Sequence, residues 1–296
     1  MDVRPSPIAG RWYPGSPAAL AREVDRYLAA AQPERPRGFI RALVVPHAGL
    51  PYSGPVAAWA FACLSPQPAP PASAAPPEDD PGDGATLVAL VGPMHYPARA
   101  GLLTTAHAAY ATPLGEVPVD VAALERLDGE LRARGGDGLA AVRGDDEHAL
   151  EIELPFLQRV LGPFTLLPVM VRDQRAATVE ALGEALAATL GSRRALLVAS
   201  SDLSHYYPDS IARQLDAALL ERLAAFEPRG VLARATGVER GACGGAAVAA
   251  VLWGARALGA DRVSVLRYAT SADVTGDYGR VVGYAAAAVW QSPGDA

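Results

Sequence analysis

Short apolar runs with the chemistry of buried strands alternate with longer amphipathic stretches along almost the whole sequence. The runs are Arg41 to Val45, Leu87 to Val91, Thr165 to Val171, Ala195 to Ala199, Val263 to Tyr268 and Arg280 to Val289. Each is too short for a helix of ordinary length and reads as a strand covered on both faces. Between them, helical periodicity runs over Pro17 to Ala31, Gly54 to Leu64, Val119 to Arg134, Glu147 to Leu161, Ala176 to Leu190, Asp209 to Phe226 and Cys243 to Leu258. Strands alternating with helices predict an α/β fold with a mostly parallel or mixed central sheet flanked by helices. The Pro/Ala-rich stretch 65–84 can neither bury a face nor form a ladder. It predicts a mobile insertion within one domain spanning 1–296.

Composition removes whole chemistries. All 26 basic residues are arginine, and the sequence contains no lysine. A Walker-type phosphate loop, a Schiff-base enzyme and a lysyl-tethered cofactor are therefore excluded. The formal net charge of −6 and the scattered arginines argue against a nucleic-acid groove. The start lacks the pattern of a secretory signal and no apolar stretch reaches membrane-spanning length, which predicts a cytoplasmic protein with no membrane association. In such a compartment Cys63 and Cys243 are expected to be free thiols. No Gly-x-Gly-x-x-Gly follows a strand and no Cys-x-x-Cys occurs, so nothing suggests a dinucleotide cofactor.

Polar residues stand at equivalent places after three of the strands. His47 lies in Pro46-His-Ala-Gly49, His95 in Gly92-Pro-Met-His95, and Asp202 and His205 in Ser200-Ser-Asp-Leu-Ser-His205. In an open α/β sheet the carboxyl ends of parallel strands form the ligand crevice, so these turns are expected to converge if the strands are parallel neighbours. A single histidine in a turn more often only satisfies a hydrogen bond, but three such turns point to a site. His148, in Asp145-Asp-Glu-His148, shares a predicted helix face with Glu151 and is placed in the pocket wall rather than among ligands. Cys243 in Ala242-Cys-Gly-Gly245 opens a predicted helix, where a thiol is expected to gain thiolate character beside glycines that allow close approach. Cys63 reads as core packing. His107 has no partner in sequence and is expected to be a bystander. Arg11-Trp-Tyr-Pro14 and Thr112-Pro-Leu-Gly115 are turn-like segments able to line a mouth.

Taken in order, Arg11-Trp-Tyr-Pro14, Pro46-His-Ala-Gly49, Tyr52-Ser-Gly54, Gly92-Pro-Met-His95, Thr112-Pro-Leu-Gly115, Glu147-His148 with Leu154-Pro-Phe-Leu157, Ser200 to His205, Cys243-Gly244 and Val281-Val-Gly-Tyr284 resemble the Memo family. Its bacterial members are also called AmmeMemoRadiSam system protein B. That resemblance implies a fold like that of the class III extradiol dioxygenases, which are non-haem iron enzymes, and AMMECR-type and radical-SAM partner proteins. It implies metal ligands at His47, His95 and Cys243, with Asp202 and His205 as catalytic groups in the same pocket. Met94, His148, Trp12, Tyr52 and Ser201 are expected to line it. The chain departs from the family pattern at Leu50, where Tyr is common, and at Met94, where Ser is common.

Two histidines with a thiolate suit copper or zinc, whereas two histidines with the carboxylate of Asp202 would suit ferrous iron. The expectation is a copper- or iron-dependent oxidase or dioxygenase-like enzyme acting on a small molecule or peptide. The competing expectation is a non-enzymatic metal carrier or peptide-binding adaptor using the same pocket. A zinc hydrolase is a third option.

Overall fold

The computed structural model describes residues 2–64, 86–191, 193–237 and 241–293. The expected insertion at 65–84 lies outside the described residues. In chain order the strands are β1 (Val3–Arg4), β2 (Phe39–Val45), β3 (Thr86–Pro93), β4 (Leu102–Thr105), β5 (Ala109–Thr112), β6 (Gly115–Pro118), β7 (Ala140–Val142), β8 (Phe164–Val171), β9 (Ala195–Ser200), β10 (His205–Tyr207), β11 (Arg262–Thr270) and β12 (Val281–Gln291). The helices are α1 (Pro17–Ala30), α2 (Leu50–Ala62), α3 (Val121–Ala133), α4 (Leu154–Leu161), α5 (Ala176–Leu190), α6 (Asp209–Ala224), α7 (Pro228–Thr236), α8 (Gly245–Ala257) and α9 (Ala272–Thr275), with a 3-10 turn over Glu151–Glu153.

The central sheet is mixed. Its middle is parallel, in the order β2, β9, β3, β8. On one side β12 joins β2 antiparallel and itself pairs antiparallel with β10 and β11. On the other, β4 runs antiparallel to β8 and is followed by β7. A separate small sheet is made of β1, β5 and β6.

Alternation along the middle strands splits the core in two, because successive side chains leave a strand on opposite faces. Leu43, Val45, Val88, Leu90, Leu196 and Val198 face α1, α2 and α4. Ala42, Val44, Leu87, Ala89, Val91, Leu197 and Ala199 face α3, α5, α7 and α8. Both faces are covered, as the continuous apolar runs require.

Four helix starts differ from the pattern in sequence, each for a local reason. Helix α3 begins at Val121 rather than Val119 because the Asp120 side chain caps it, accepting from the Ala123 N–H. Pro155 fits only the first turn of a helix, so α4 begins at Leu154 rather than at Glu147, and the preceding residues form an irregular segment and the 3-10 turn. Helix α2 begins at Leu50, four residues before the predicted start, because the Leu50 N–H donates to the Trp12 carbonyl at 2.8 Å and Pro51 occupies the first turn. Helix α8 begins at Gly245 with Gly244 as its cap, which leaves Cys243 before the helix.

Candidate metal centre

The parallel arrangement of β2, β9 and β3 decides where the strand-end residues go. Val45 is level with Ser200, and Val91 with Ala199, so the carboxyl ends of these neighbours lie side by side. The turns bearing His47, Asp202 and His95 therefore meet over one edge of the sheet. His148 arrives from the irregular segment after β7. His47, His95 and His148 bring one nitrogen each to within 4.8 Å of one another, a group able to hold a metal ion. The imidazoles of His95 and His148 stack at 4.7 Å between centroids, and His47 stands edge-on to both at 5.3 and 5.5 Å. Trp12 packs on the His148 ring at 4.1 Å.

Two buried side chains orient these rings. The Glu147 carboxylate accepts from His95 Nδ1–H at 2.9 Å, from the His95 backbone N–H at 2.6 Å, and from the N–H groups of His148 and Ala149 at 2.9 Å. A carboxylate can only accept, so His95 Nδ1 carries a proton toward Glu147 and Nε2 is the ring nitrogen left free of that contact. That pairing of carboxylate and histidine is the usual support for a metal-ligating ring. His47 Nδ1 lies 2.9 Å from Ser200 Oγ, at the last residue of β9. Burial pushes both His47 and His148 down to about 3, with the neighbouring imidazoles adding to the effect. Both rings are therefore neutral at physiological pH, the form that binds metal. Glu147 is held down at about 2, its own burial being outweighed by the His95 hydrogen bond and charge and by the backbone donors.

Cys243 and Asp202 complete the floor. Cys243 Sγ is 3.1 Å from His47 Nε2, and the Cys243 N–H donates to the Asp202 carbonyl at 3.3 Å. A Cβ on Gly244 would lie 2.4 Å from the Ser200 carbonyl oxygen, so glycine there permits the close approach of Cys243 to the end of β9. The expected thiolate is corrected. Burial, reinforced by the Asp202 charge, pushes the thiol up, and its place before the cap keeps it out of the first turn of α8. Asp202 Oδ1 accepts from the N–H groups of His47 and Ala48 at 2.8 and 3.2 Å, while burial raises its carboxyl to about 6.

These groups open onto a cavity of about 1160 Å³ lined also by Arg11, Trp12, Tyr52, Gln174, His205, Tyr206 and Tyr207. Met94 and Ser201 do not line it. Met94 is buried in the core under β3, and Ser201 Oγ is turned back to accept from the Gly244 N–H at 3.0 Å. Residues 112–115 form the β5–β6 hairpin turn away from the cavity. Leu50 is buried at the start of α2, so its departure from the family pattern adds packing. Cys63 packs in the core as expected. His107 lies apart, its Nδ1 2.9 Å from Asp2. Sequence reasoning missed Glu147, Ser200 and Glu153 as supports and Gln174 as wall, whereas the segment bearing Arg11 and Trp12 was expected at the mouth. The signal available was the set of glutamates at 147, 151 and 153, whose spacings of four and two cannot all lie on one helix face.

A model of Memo-like proteins matches residues 4–288. The chain belongs to the Memo-like family. A MEMO1 family protein of Methanopyrus kandleri is 33% identical over 299 residues, covering 97% of this chain and 98% of the relative. Another, from Methanothermobacter thermautotrophicus, is 33% identical and covers 96% and 99%. A crystal structure of an uncharacterized Escherichia coli K12 protein overlaps this Memo-like chain with TM-score 0.40 and 14% identity, over 69% of this chain and 85% of that one. Among the described residues no helix is long and apolar enough to cross a membrane.

Proposed function

We propose that this Memo-like protein is a metal-dependent redox enzyme whose centre, formed by His47 and His95 with His148 and Cys243 at hand, takes copper or iron. The observation that carries the reading is the convergence of three imidazoles, those of His47 and His148 held neutral by burial, at the head of an open cavity, with a thiol 3.1 Å from one of them. The donor set fits such an ion. Imidazole suits copper and iron, and a thiol whose proton is displaced by a metal adds a soft ligand that favours copper. A bound copper or iron ion would supply one-electron chemistry with dioxygen.

The chain's own residues supply the rest. Asp202, with its carboxyl near 6, exchanges a proton close to neutral pH. His205, on β10 at the cavity wall, is the second proton-handling group. Trp12 and Tyr52 offer aromatic faces to a small-molecule or peptide substrate, and Arg11 stands at the same wall. In this reading the protein works in the cytoplasm, alongside AMMECR-type and radical-SAM proteins.

Three histidines and an open position also match the ligand set of catalytic zinc, which favours a metal hydrolase as the second reading. Elemental analysis of protein purified without added metal, with Cys243→Ser and His148→Ala beside it, separates the readings. Near-stoichiometric copper or iron that supports oxygen uptake, and is lost with Cys243, is the expected result. Zinc retained without Cys243, with ester hydrolysis blocked by chelators, moves the assignment to the hydrolase. Tight copper binding with rapid transfer to a chelator and no oxygen uptake makes the protein a carrier. A protein with all four residues intact that binds no metal overturns the metal centre.

A further inference from the structure

Glu153 is 1% exposed, and among the described residues no cation is paired with it. Among the described residues the one hydrogen-bond partner of its side chain is Ser200 Oγ, 2.9 Å from Glu153 Oε1. The same hydroxyl lies 2.6 Å from the Ala149 carbonyl oxygen and 2.9 Å from His47 Nδ1. Proton counting then decides the state of all three groups. A serine hydroxyl has one proton and two lone pairs. The Ala149 carbonyl can only accept, so the serine proton goes there. The other two contacts fall on the serine lone pairs and must both arrive as donors. His47 therefore donates from Nδ1–H, and Glu153 donates from a carboxylic acid. An ionised Glu153 would leave one serine proton facing two obligate acceptors, with one buried contact made of lone pair against lone pair.

We propose that Glu153 is a neutral carboxylic acid at physiological pH and acts as a positioning residue, donating to Ser200 so that Ser200 receives the Nδ1–H of His47 and leaves His47 Nε2 as a lone pair facing the cavity. Two further observations support it. Burial raises the Glu153 carboxyl well above the ordinary range, outweighing the lowering by the Ser200 contact, and the nearby Asp202 carboxylate pushes the same way as burial. Glu147, equally buried and six residues earlier, shows the opposite case, since it accepts four N–H contacts and stays ionised. The tautomer deepens the metal-centre reading because it aims Nε2 at a cation, but the proton count depends on no metal.

The test uses full-length metal-free protein. Infrared difference spectra between wild type and Glu153→Gln at pH 7 are expected to contain the carbonyl band of a protonated carboxylic acid, lost in the variant. Nitrogen-15 spectra of labelled histidine are expected to show His47 protonated at Nδ1 in both proteins, because the glutamine amide also donates. Zinc titration adds a functional readout. Glu153→Gln should bind within about threefold of wild type, and Glu153→Leu, which has no donor, should bind about tenfold to a hundredfold more weakly. Absence of the acid band, or a His47 ring protonated at Nε2, overturns the proposal even if Glu153→Leu fails to fold. The acid band and the Nδ1–H ring in a wild-type protein that binds no zinc would uphold the proton count and sink the metal reading instead.

Discussion

Glu147 shows how much one buried side chain can organise. Its carboxylate collects the N–H groups of three residues and the ring of His95, so the turn after β3 and the segment bearing His148 are tied through one group. Replacing it by glutamine keeps the shape but puts an amide N–H against donors. Metal affinity should fall about tenfold to a hundredfold, read by competition with a chromophoric chelator. The pH dependence has a definite sign. A carboxyl lowered from 4.5 to about 2 contributes stability that is fully present above pH 4.5 and is lost as the pH falls toward 2. Wild type should therefore melt above Glu147→Gln at neutral pH, and the gap should narrow below pH 4.5. A gap independent of pH would mean that the carboxylate is not held ionised by these contacts. His148 was expected in the pocket wall and stands among the metal-competent nitrogens, because the residues around it are turned by Glu147 rather than by a helix.

At the scale of elements, two glycines mark where helices meet other structure at close range, and they make different predictions. A Cβ at Gly244 would meet the Ser200 carbonyl and Ser201, so Gly244→Ala must push the start of α8, and Cys243 with it, away from the end of β9. A Cβ at Gly54 would sit 2.8 Å from the Tyr27 ring, between α2 and α1 and away from the site. Both substitutions overpack and should cost about 1–3 kcal/mol, measured by denaturant melts. Only Gly244→Ala should also lower metal content; equal loss in both variants would count against a local role for the α8 start. The long strands were legible because each is a continuous apolar run. The strands β1, β5, β6 and β7 were not, since two to four residues carry no usable period and their pairing is decided by distant partners.

For the whole molecule, a buried arginine joins the small sheet to the site. Arg4, on β1 and 2% exposed, bonds Asp145 at 2.8 Å, Glu151 Oε2 at 2.8 Å and the Glu147 carbonyl at 2.7 Å. Tyr13 closes the network from the N-terminal turn, with its hydroxyl donating to Glu151 Oε1 at 2.6 Å. Removing one partner of such a pair leaves an uncompensated buried charge. Arg4→Met should cost about 3–5 kcal/mol in melts and release the His148 segment, seen as faster amide exchange at Ala149 and Leu150. Unchanged exchange there would show that the segment is held by Glu147 without help from the small sheet.

The residues themselves determined the layered α/β plan, the parallel centre and the placing of His47, His95 and Asp202, because apolar runs ended by polar turns can be buried in few ways and parallel strands gather their carboxyl ends. Only the tertiary structure decided that His148 joins them, that Cys243 remains a thiol before its helix, and that three nearby glutamates do three separate tasks. Glu147 holds His95, Glu151 answers Arg4, and Glu153 meets Ser200. Those outcomes depend on hydrogen-bond partners brought from distant parts of the chain and on desolvation, and neither is written in the local pattern of the residues concerned.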